Sequence, residues 1–439
     1  KDTPAAVPAP GEPNAAARAS RGALGIVWLV VFIDLLGFGI VLPVMPRQVD
    51  PYLNHLQLAP AARGAVIGVL FAIFSLMQFV FSPMWGRVSD RIGRRPVLLL
   101  SLFGSVAFYA LYGFAVTLDA TRAELAIGLM LLSRLGAGIA GASVGTAAAV
   151  IADCTPPEKR AKGMALIGIA FGAGFTFGPL VAFFGLALFA QEPWGVGALA
   201  SGLSLVALLI AVSAFQETRN PEHKAGKEFF SLARTVEVLK MPTVGALVLI
   251  YFLAIFAFAN FEATLALLTK EALEMKDDRD NFLVFAAVGA VLTFAGGAYR
   301  PMVKRHPEEK LLRAGVGLMV AGLTGVGGVA LAAHAWKADG TVSLAQLKIG
   351  FYVAISVSVI GFAFVNPSVS ALVSKRSDPA RQGEVLGVNQ AFASLGRILG
   401  PFLGSVLFQA EPSHTLPYLG AVVTLLLLGA VLVPKVKRA

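Results

Sequence analysis

A single cysteine, Cys154, stands among the 439 residues, so no disulfide can form within the chain. Charge is scarce too. Asp, Glu, Lys and Arg together make up 14% of the residues, against about a quarter in an ordinary soluble domain. The histidines (His55, His223, His306, His334 and His414) show no metal-ligand spacing, so no metal site is expected. Phosphate-holding loops of the Gly-x-Gly-x-x-Gly or Walker type are missing, which argues against a nucleotide cofactor and ATP-driven work. No enzyme signature is left, and no cofactor is expected.

Apolar residues are what the chain has in quantity. They make up 56% of it, and the mean hydropathy is +0.75. About 20 apolar residues cross a bilayer as a helix. Twelve such runs are placed at 23–46, 64–85, 96–117, 124–152, 163–187, 195–215, 243–268, 281–302, 311–334, 347–373, 384–409 and 415–434. The expected fold is an all-α membrane protein, its 12 transmembrane helices in two pseudo-symmetric six-helix bundles, 23–215 and 243–434. The hydrophilic stretch 216–242 links them. Phe229, Phe230, Leu232 and Val236 there are spaced to line one face of a short surface helix. Residues 435–439 read as a basic tail.

Lys and Arg mark the cytoplasmic side of a membrane protein. Arg47, Arg63, Arg122, Lys270, Lys276, Arg279, Lys337 and Lys348 fall in one set of alternate loops, while Arg134 and Arg397 fall inside spans. All the other Lys and Arg residues fall in the set that begins with the N-terminal segment. Both termini are therefore expected in the cytoplasm. The net charge of +10 is then a topology signal with anionic membrane lipids as partners, and no nucleic acid is expected. Residues 1–22, rich in Ala and Pro, read as a disordered cytoplasmic tail without the apolar core of a signal peptide.

The two halves repeat. Gly168, Gly172, Gly174 and Gly178 precede Pro179 in span 5; Gly396 and Gly400 precede Pro401 in span 11, and Gly404 follows. Matching the Gly-Pro pairs gives an offset of about 220 residues, half the chain; parallel repeats of this kind build transporters with a midplane site between halves. Residues 299–305 hold the place in the second half that the basic segment 86–95 holds in the first, without its Asp and second Gly.

A few polar residues lie within spans, where each is costly unless paired, protonated or wet. Asp34 is about ten residues into span 1 and is a natural proton carrier; a capped helix break near Gly37 and Gly39 is the plainer reading. Arg134, in span 4, keeps its proton and needs an acceptor. Asp34 is its expected partner, and a static ion pair is the plainer reading. Glu262 sits in span 7 or, with Lys270 close behind, at the outer surface. Arg397, in span 11, is placed to neutralise Glu262 or an anionic substrate. Gln78, Asn366, Asn389 and Gln390 are helix–helix hydrogen-bonding groups or ligand contacts. Phe38, Phe258 and Phe261 flank the acids and suit an apolar pocket.

The segment 86–95 reads Gly-Arg-Val-Ser-Asp-Arg-Ile-Gly-Arg-Arg, and its Gly86, Asp90, Arg91, Gly93, Arg94 and Arg95 resemble the signature loop between helices 2 and 3 of the major facilitator superfamily. The resemblance implies a cytoplasmic gate that latches the halves together in the outward-open state, with Asp153 as partner of Arg94. Gly174, Gly178 and Pro179 resemble the ending of the antiporter motif of drug/proton antiporters, and the surroundings of Asp34 and Arg134 resemble spans 1 and 4 of tetracycline-transporter-like members. That resemblance implies a proton-coupled antiporter, with Asp34, Glu262 and Arg134 in proton coupling. It would export small amphiphilic organic compounds by alternating access, as a monomer in a bacterial inner membrane. The chain departs from tetracycline antiporters at Phe108, where they carry an acid in span 3, and in 311–333, where they carry one in span 9. An organic-anion or nutrient transporter of the same fold, with Arg134 and Arg397 as anchors, is one alternative. A non-transporting receptor or scaffold is another.

Overall fold

A computed structural model describes residues 15–155, 160–219, 232–339, 343–377 and 382–431. Among these, the long elements are helices: α1 (Ala15–His55), α2 (Pro60–Ile92), α3 (Arg94–Ala115), α4 (Ala123–Ala140), α5 (Val144–Cys154), α6 (Arg160–Leu188), α7 (Trp194–Ala214), α8 (Leu232–Lys240), α9 (Pro242–Glu271), α10 (Asp278–Met302), α11 (Glu308–Asp339), α12 (Leu344–Arg376), α13 (Gln382–Ala410) and α14 (Leu416–Val431). With α4 and α5 taken as one span and α8 as the linker helix, these make the twelve spans. The starts are chemically marked. Pro60 and Pro242 open α2 and α9, Asp277 caps α10, and Ser343 with Gln346 forms a capping box on α12.

Three local expectations change. α1 begins at Ala15, inside the segment read as an unstructured tail; residues 1–14 lie outside those described, as do 435–439, Phe229 and Phe230. In α8, Thr235 and Val238 are buried and Val236 points outward, because the helix lies against α9 through the other side. The segment 86–95 is hardly a loop. α2 stays helical through Ile92 and α3 begins at Arg94, leaving Gly93 alone between them.

The repeat is visible in packing. α1 and α6 run side by side, with Gly178 so near Gly39 that a β-carbon on Gly178 would stand 2.4 Å from the Gly39 carbonyl carbon. In the second half α13 meets α9 likewise, and a β-carbon on Gly400 would stand 2.6 Å from the Phe256 carbonyl oxygen. Small residues let helix backbones approach closely in a membrane.

Span 4 breaks at residues 141–143, between α4 and α5. Three successive carbonyls at the break are taken by side chains of other helices. Trp85 Nε1 donates to Ile139 O at 2.7 Å, Ser101 Oγ to Ala140 O at 2.7 Å, and Gln78 Nε2 to Gly141 O at 2.9 Å. Donors that insert into the i→i−4 ladder interrupt a helix without leaving buried carbonyls unsatisfied.

Candidate functional site

Asp34 is buried at 1% exposure in the middle of α1. Three serine hydroxyls surround its carboxylate: Ser105 Oγ at 3.3 Å, Ser101 Oγ at 3.4 Å, and Ser143 Oγ in close contact. Ser101 and Ser105 are one turn apart on α3 and so share a face; Ser143 comes from the break in span 4. None of the three serines was singled out from the sequence, although the i, i+4 pair on α3 was a readable signal. Gln78 reaches the same neighbourhood but spends its amide on the Gly141 carbonyl.

Arg134 does not meet Asp34 in any ion pair described. It is buried at 1% exposure, with its guanidinium 4.5 Å from the centre of the Phe74 ring, a cation–π arrangement. The expected pairing fails for a reason of depth. Asp34 is held at Ser143, nine residues beyond Arg134, roughly 13 Å along a helix axis. Between them stands Tyr109, buried, its hydroxyl over Gly37 and within electrostatic reach of both Asp34 and Arg134.

In the second half, Glu262 is half-buried within α9 and has no hydrogen-bond or ion-pair partner among the described residues. It is not the positional equivalent of Asp34. Gly178 meets Gly39 and Ile40, while Gly400 meets Ala259 and Asn260, so Asp34 corresponds to about Ala254. Glu262 lies about eight residues, roughly 12 Å, farther along its helix. Arg397 is likewise about two turns from Glu262, because the neighbouring Gly396 packs against Phe252 and Phe256. Neutralisation of Glu262 by Arg397 is therefore not what the arrangement provides. Arg397 Nη2 donates to Ser394 Oγ at 3.0 Å and lies within electrostatic reach of Tyr251. Tyr251 in turn donates to Asn366 Oδ1 at 2.9 Å.

Phe258 stacks on Phe362 at 3.8 Å between ring centres and leans on Phe261, which is fully buried. Asn389 is buried with its Oδ1 unbonded among the described residues, and Gln390 is exposed. The side chain of Phe38, and Gly168 and Gly172, lie outside those described. Gly174 sits one turn before Gly178 on the face toward α1, and Pro179 is buried beside them.

At the end of the molecule that carries residues 86–95, Arg94 is the centre. Its Nε donates to Asp153 Oδ2 at 3.0 Å, and its Nη1 to Asp90 Oδ1 at 2.5 Å and Ser89 Oγ at 2.7 Å. All these partners belong to the first half. Arg95 Nη2 donates to Val212 O, and the Arg91 carbonyl accepts from Arg219. Glu217, not anticipated from the sequence, caps α3. Its carboxylate accepts from the backbone N–H groups of Arg94 at 2.9 Å and Arg95 at 3.1 Å, and from Thr218 and Arg219. Burial raises its pKa, but the four N–H donors outweigh this and hold the carboxyl below the ordinary glutamate value. Gly93 has φ +108°, and a β-carbon there would come 2.4 Å from Glu217 Oε2. Gly86, expected to ease a turn, is instead helical with nothing within 4 Å of a β-carbon.

At the opposite end several of the described hydrogen bonds join the two halves. Arg47 donates to the carbonyls of Met275 at 2.6 Å, Asp277 at 3.1 Å and Lys276 at 3.2 Å. Asp50 pairs with Arg63 at 2.5 Å and with Lys270 across the interface. Asn281 Nδ2 donates to Pro43 O at 2.6 Å. Nearby, Gly64 and Gly68 of α2 pack against Ser405 and Phe402 of α13.

Two parallel six-span bundles, with a buried acid in one and charge clusters at either end, are the build of a secondary transporter embedded in a membrane. The family model "Major Facilitator Superfamily" matches residues 27–344 and 323–439. The chain belongs to that superfamily, and within it is a tetracycline-transporter-like protein. It is 28% identical over 383 residues to the tetracycline resistance protein, class E, of Escherichia coli, covering 87% of each chain. It is 27% identical over 428 residues to the human major facilitator superfamily domain-containing protein 10, covering 88% of each. Among solved structures, the D-xylose-proton symporter aligns with a TM-score of 0.72 at 18% identity, covering 95% of this chain and 99% of that one. The human organic anion transporter MFSD10 (TETRAN) aligns with a TM-score of 0.63 at 24% identity, covering 96% of this chain and 100% of that one.

Proposed function

We propose that this transporter is a proton-coupled antiporter exporting small amphiphilic organic compounds by alternating access, with both termini in the cytoplasm. The observation that carries the reading is Asp34. A fully buried mid-span carboxylate whose described partners are three serine hydroxyls, and no cation, is costly when charged and readily takes a proton. Glu262, half-buried and without a partner among the described residues, is the second proton-handling group. The hydrogen bonds across the interface at Arg47, Asp50 and Asn281 support an inward-facing arrangement, closed at the outer end. Similarity to tetracycline resistance proteins supports export as the direction, and the chain acts as a monomer in a bacterial inner membrane.

The test is proton movement in vesicles of the purified protein carrying an internal pH dye. Tetracycline, a lipophilic cationic dye and an aromatic carboxylate are added in turn. At least one is expected to move protons through the wild type and none through Asp34→Asn. Flux that follows a pH gradient but ignores Asp34→Asn would overturn the role of Asp34.

A second reading, transport of organic anions, is favoured by one specific feature: Arg397 within the span, beside Tyr251, Asn366 and Ser394. It is supported if Arg397→Gln abolishes movement of the carboxylate alone and leaves the cationic dye untouched.

A further inference from the structure

Helix α5 is short, and it is held at both ends by chemistry that the function needs. At its start, Ser143 holds Asp34. At its finish, Asp153 holds Arg94 of the 86–95 motif. Its eleven residues make a stiff rod about 16 Å long. The rod is set off from α4 by the break at 141–143, where side chains bond three successive carbonyls: Trp85 that of Ile139, which also accepts from Ala142 N, Ser101 that of Ala140, and Gln78 that of Gly141.

We infer that α5 is the coupling rod of the transporter: it carries the protonation state of Asp34 to the Arg94–Asp153 contact at the cytoplasmic gate, with Ser143 as the positioning residue. The inference rests on the proton-carrying role proposed for Asp34. The hydroxyl geometry says how the signal starts. Ser101 has one proton and two acceptors in reach, Ala140 O at 2.7 Å and Asp34 Oδ2 at 3.4 Å. Ser105 chooses likewise between Ser101 O at 3.2 Å and Asp34 Oδ1 at 3.3 Å. A charged Asp34 needs donors and draws these protons, so Ala140 O at the break loses its partner. A protonated Asp34 brings its own proton, and the serines return to the carbonyls. Each proton taken or released thus rearranges the hinge at which α5 is hung.

Few other titratable groups face the cradle. On α3 it is Tyr109, and behind it Arg134 of α4. Between residues 144 and 152 α5 has no ionisable group, and neither does α7, while Arg160 and Lys162 of α6 stand at its start. Tyr251 of α9 is turned to Asn366, Glu262 and Lys270 lie farther toward the outer end, and the charges of α2 and α10 are at their ends.

Cys154, the only cysteine, ends the rod and is half-buried, so its alkylation reports where that end sits. The purified full-length protein is reacted with N-ethylmaleimide between about pH 6 and about pH 8. Variants are compared with wild type at equal pH, because the thiolate fraction itself rises with pH. At the upper pH, Asp34→Asn is expected to change the labelling rate about threefold or more, by shifting the population of rod positions. In a Ser143→Ala background the same change is expected to have no effect, and Ser143→Thr, which keeps a hydroxyl, is expected to restore it. A thiol labelled at its rate in denaturant marks an unfolded variant, and the Ser143→Thr comparison then decides.

Equal labelling of wild type and Asp34→Asn overturns the inference, as does an undiminished difference in Ser143→Ala. The pH dependence of the Asp34 carboxyl infrared band, identified by its loss in Asp34→Asn, separates the two claims. If the band titrates while Cys154 does not respond, the rod fails and the proton role stands. If the band does not titrate, both fall.

Discussion

Arg376 Nη2 donates to Glu309 Oε1 at 2.8 Å and ties the end of α12 to the start of α11. In the first half, Arg94 and Asp153 tie the start of α3 to the end of α5. The two pairs occupy matching places with the signs exchanged, and Glu308 with Lys375 doubles the second one. The motif copy at 299–305 lost its acid, yet the second half kept a charge clamp by placing acids on α11 and cations on α12. The two halves therefore differ in the polarity of this clamp rather than in its presence. Asp153→Asn leaves Arg94 short of a partner and is expected to lower stability by about 1–3 kcal/mol. Glu309→Gln, in a more exposed pair, is expected to cost under about 1 kcal/mol. The exchange Glu309→Arg with Arg376→Glu should recover most of that loss. Thermal unfolding midpoints of the purified variants check all three.

The glycines of the 86–95 motif separate cleanly. Gly93 stands at φ +108° against the Glu217 carboxylate, where a β-carbon is both strained and crowded. Gly93→Ala is expected to cost about 1–3 kcal/mol. Gly86→Ala, in open helical surroundings, is expected to be neutral or to gain about 0.5–1 kcal/mol. Equal losses at both positions, measured by thermal unfolding, would contradict this assignment.

Run length and hydropathy made the spans and the two halves legible, and the offset of the Gly-Pro pairs made the repeat legible. Asp34 and Arg134 stood out because charge inside a span is rare. Their partners did not. Serines are ordinary in membrane helices, and Ser101, Ser105 and Ser143 acquire meaning only when three elements converge. The break in span 4 is invisible to hydropathy, since donors from α2 and α3 replace the missing backbone bonds. Arg47 and Lys270 read as loop charges because counting basic residues assigns sides, not partners. Arg134 does not meet Asp34 in any described ion pair because linear position fixes depth only to within a turn or two.

Glu217 makes the cap of α3 pH-dependent. Its folded pKa is held below its unfolded value, so its contribution is fully present above the unfolded value and is lost as pH falls through the folded one. The α3 cap is therefore expected to hold at neutral pH and to open on the acid side of the ordinary glutamate range. Glu217→Gln should behave at neutral pH as the wild type does in acid. Amide hydrogen exchange at Arg94 and Arg95, corrected for the intrinsic effect of pH, is the measurement. Protection unchanged by the substitution would remove Glu217 from the cap.

The outer end sets the resting conformation if its bonds are as selective as their placement implies. Arg47 spends its guanidinium on three consecutive carbonyls of the α9–α10 connection, and Asp50 binds one cation from each half. The Arg47 bonds and the Asp50–Lys270 pair are between the halves, so they are lost whenever the outer end opens, whereas Asp50–Arg63 and the Arg94 cluster lie within one half. Weakening them shifts population rather than unfolding the protein. Asp50→Ala is expected to raise the outward-open fraction by severalfold, consistent with about 1–2 kcal/mol of lost closure. Arg47→Ala should do the same, because the carbonyls it leaves can turn to water once the end is open. Spin labels on opposing sides of the outer end, read by pulsed dipolar spectroscopy in nanodiscs, would show a longer distance gaining population in both variants. An unchanged distance distribution in Asp50→Ala would mean that packing of Gly64 and Gly68 against α13, not the ion pair, keeps the outer end closed.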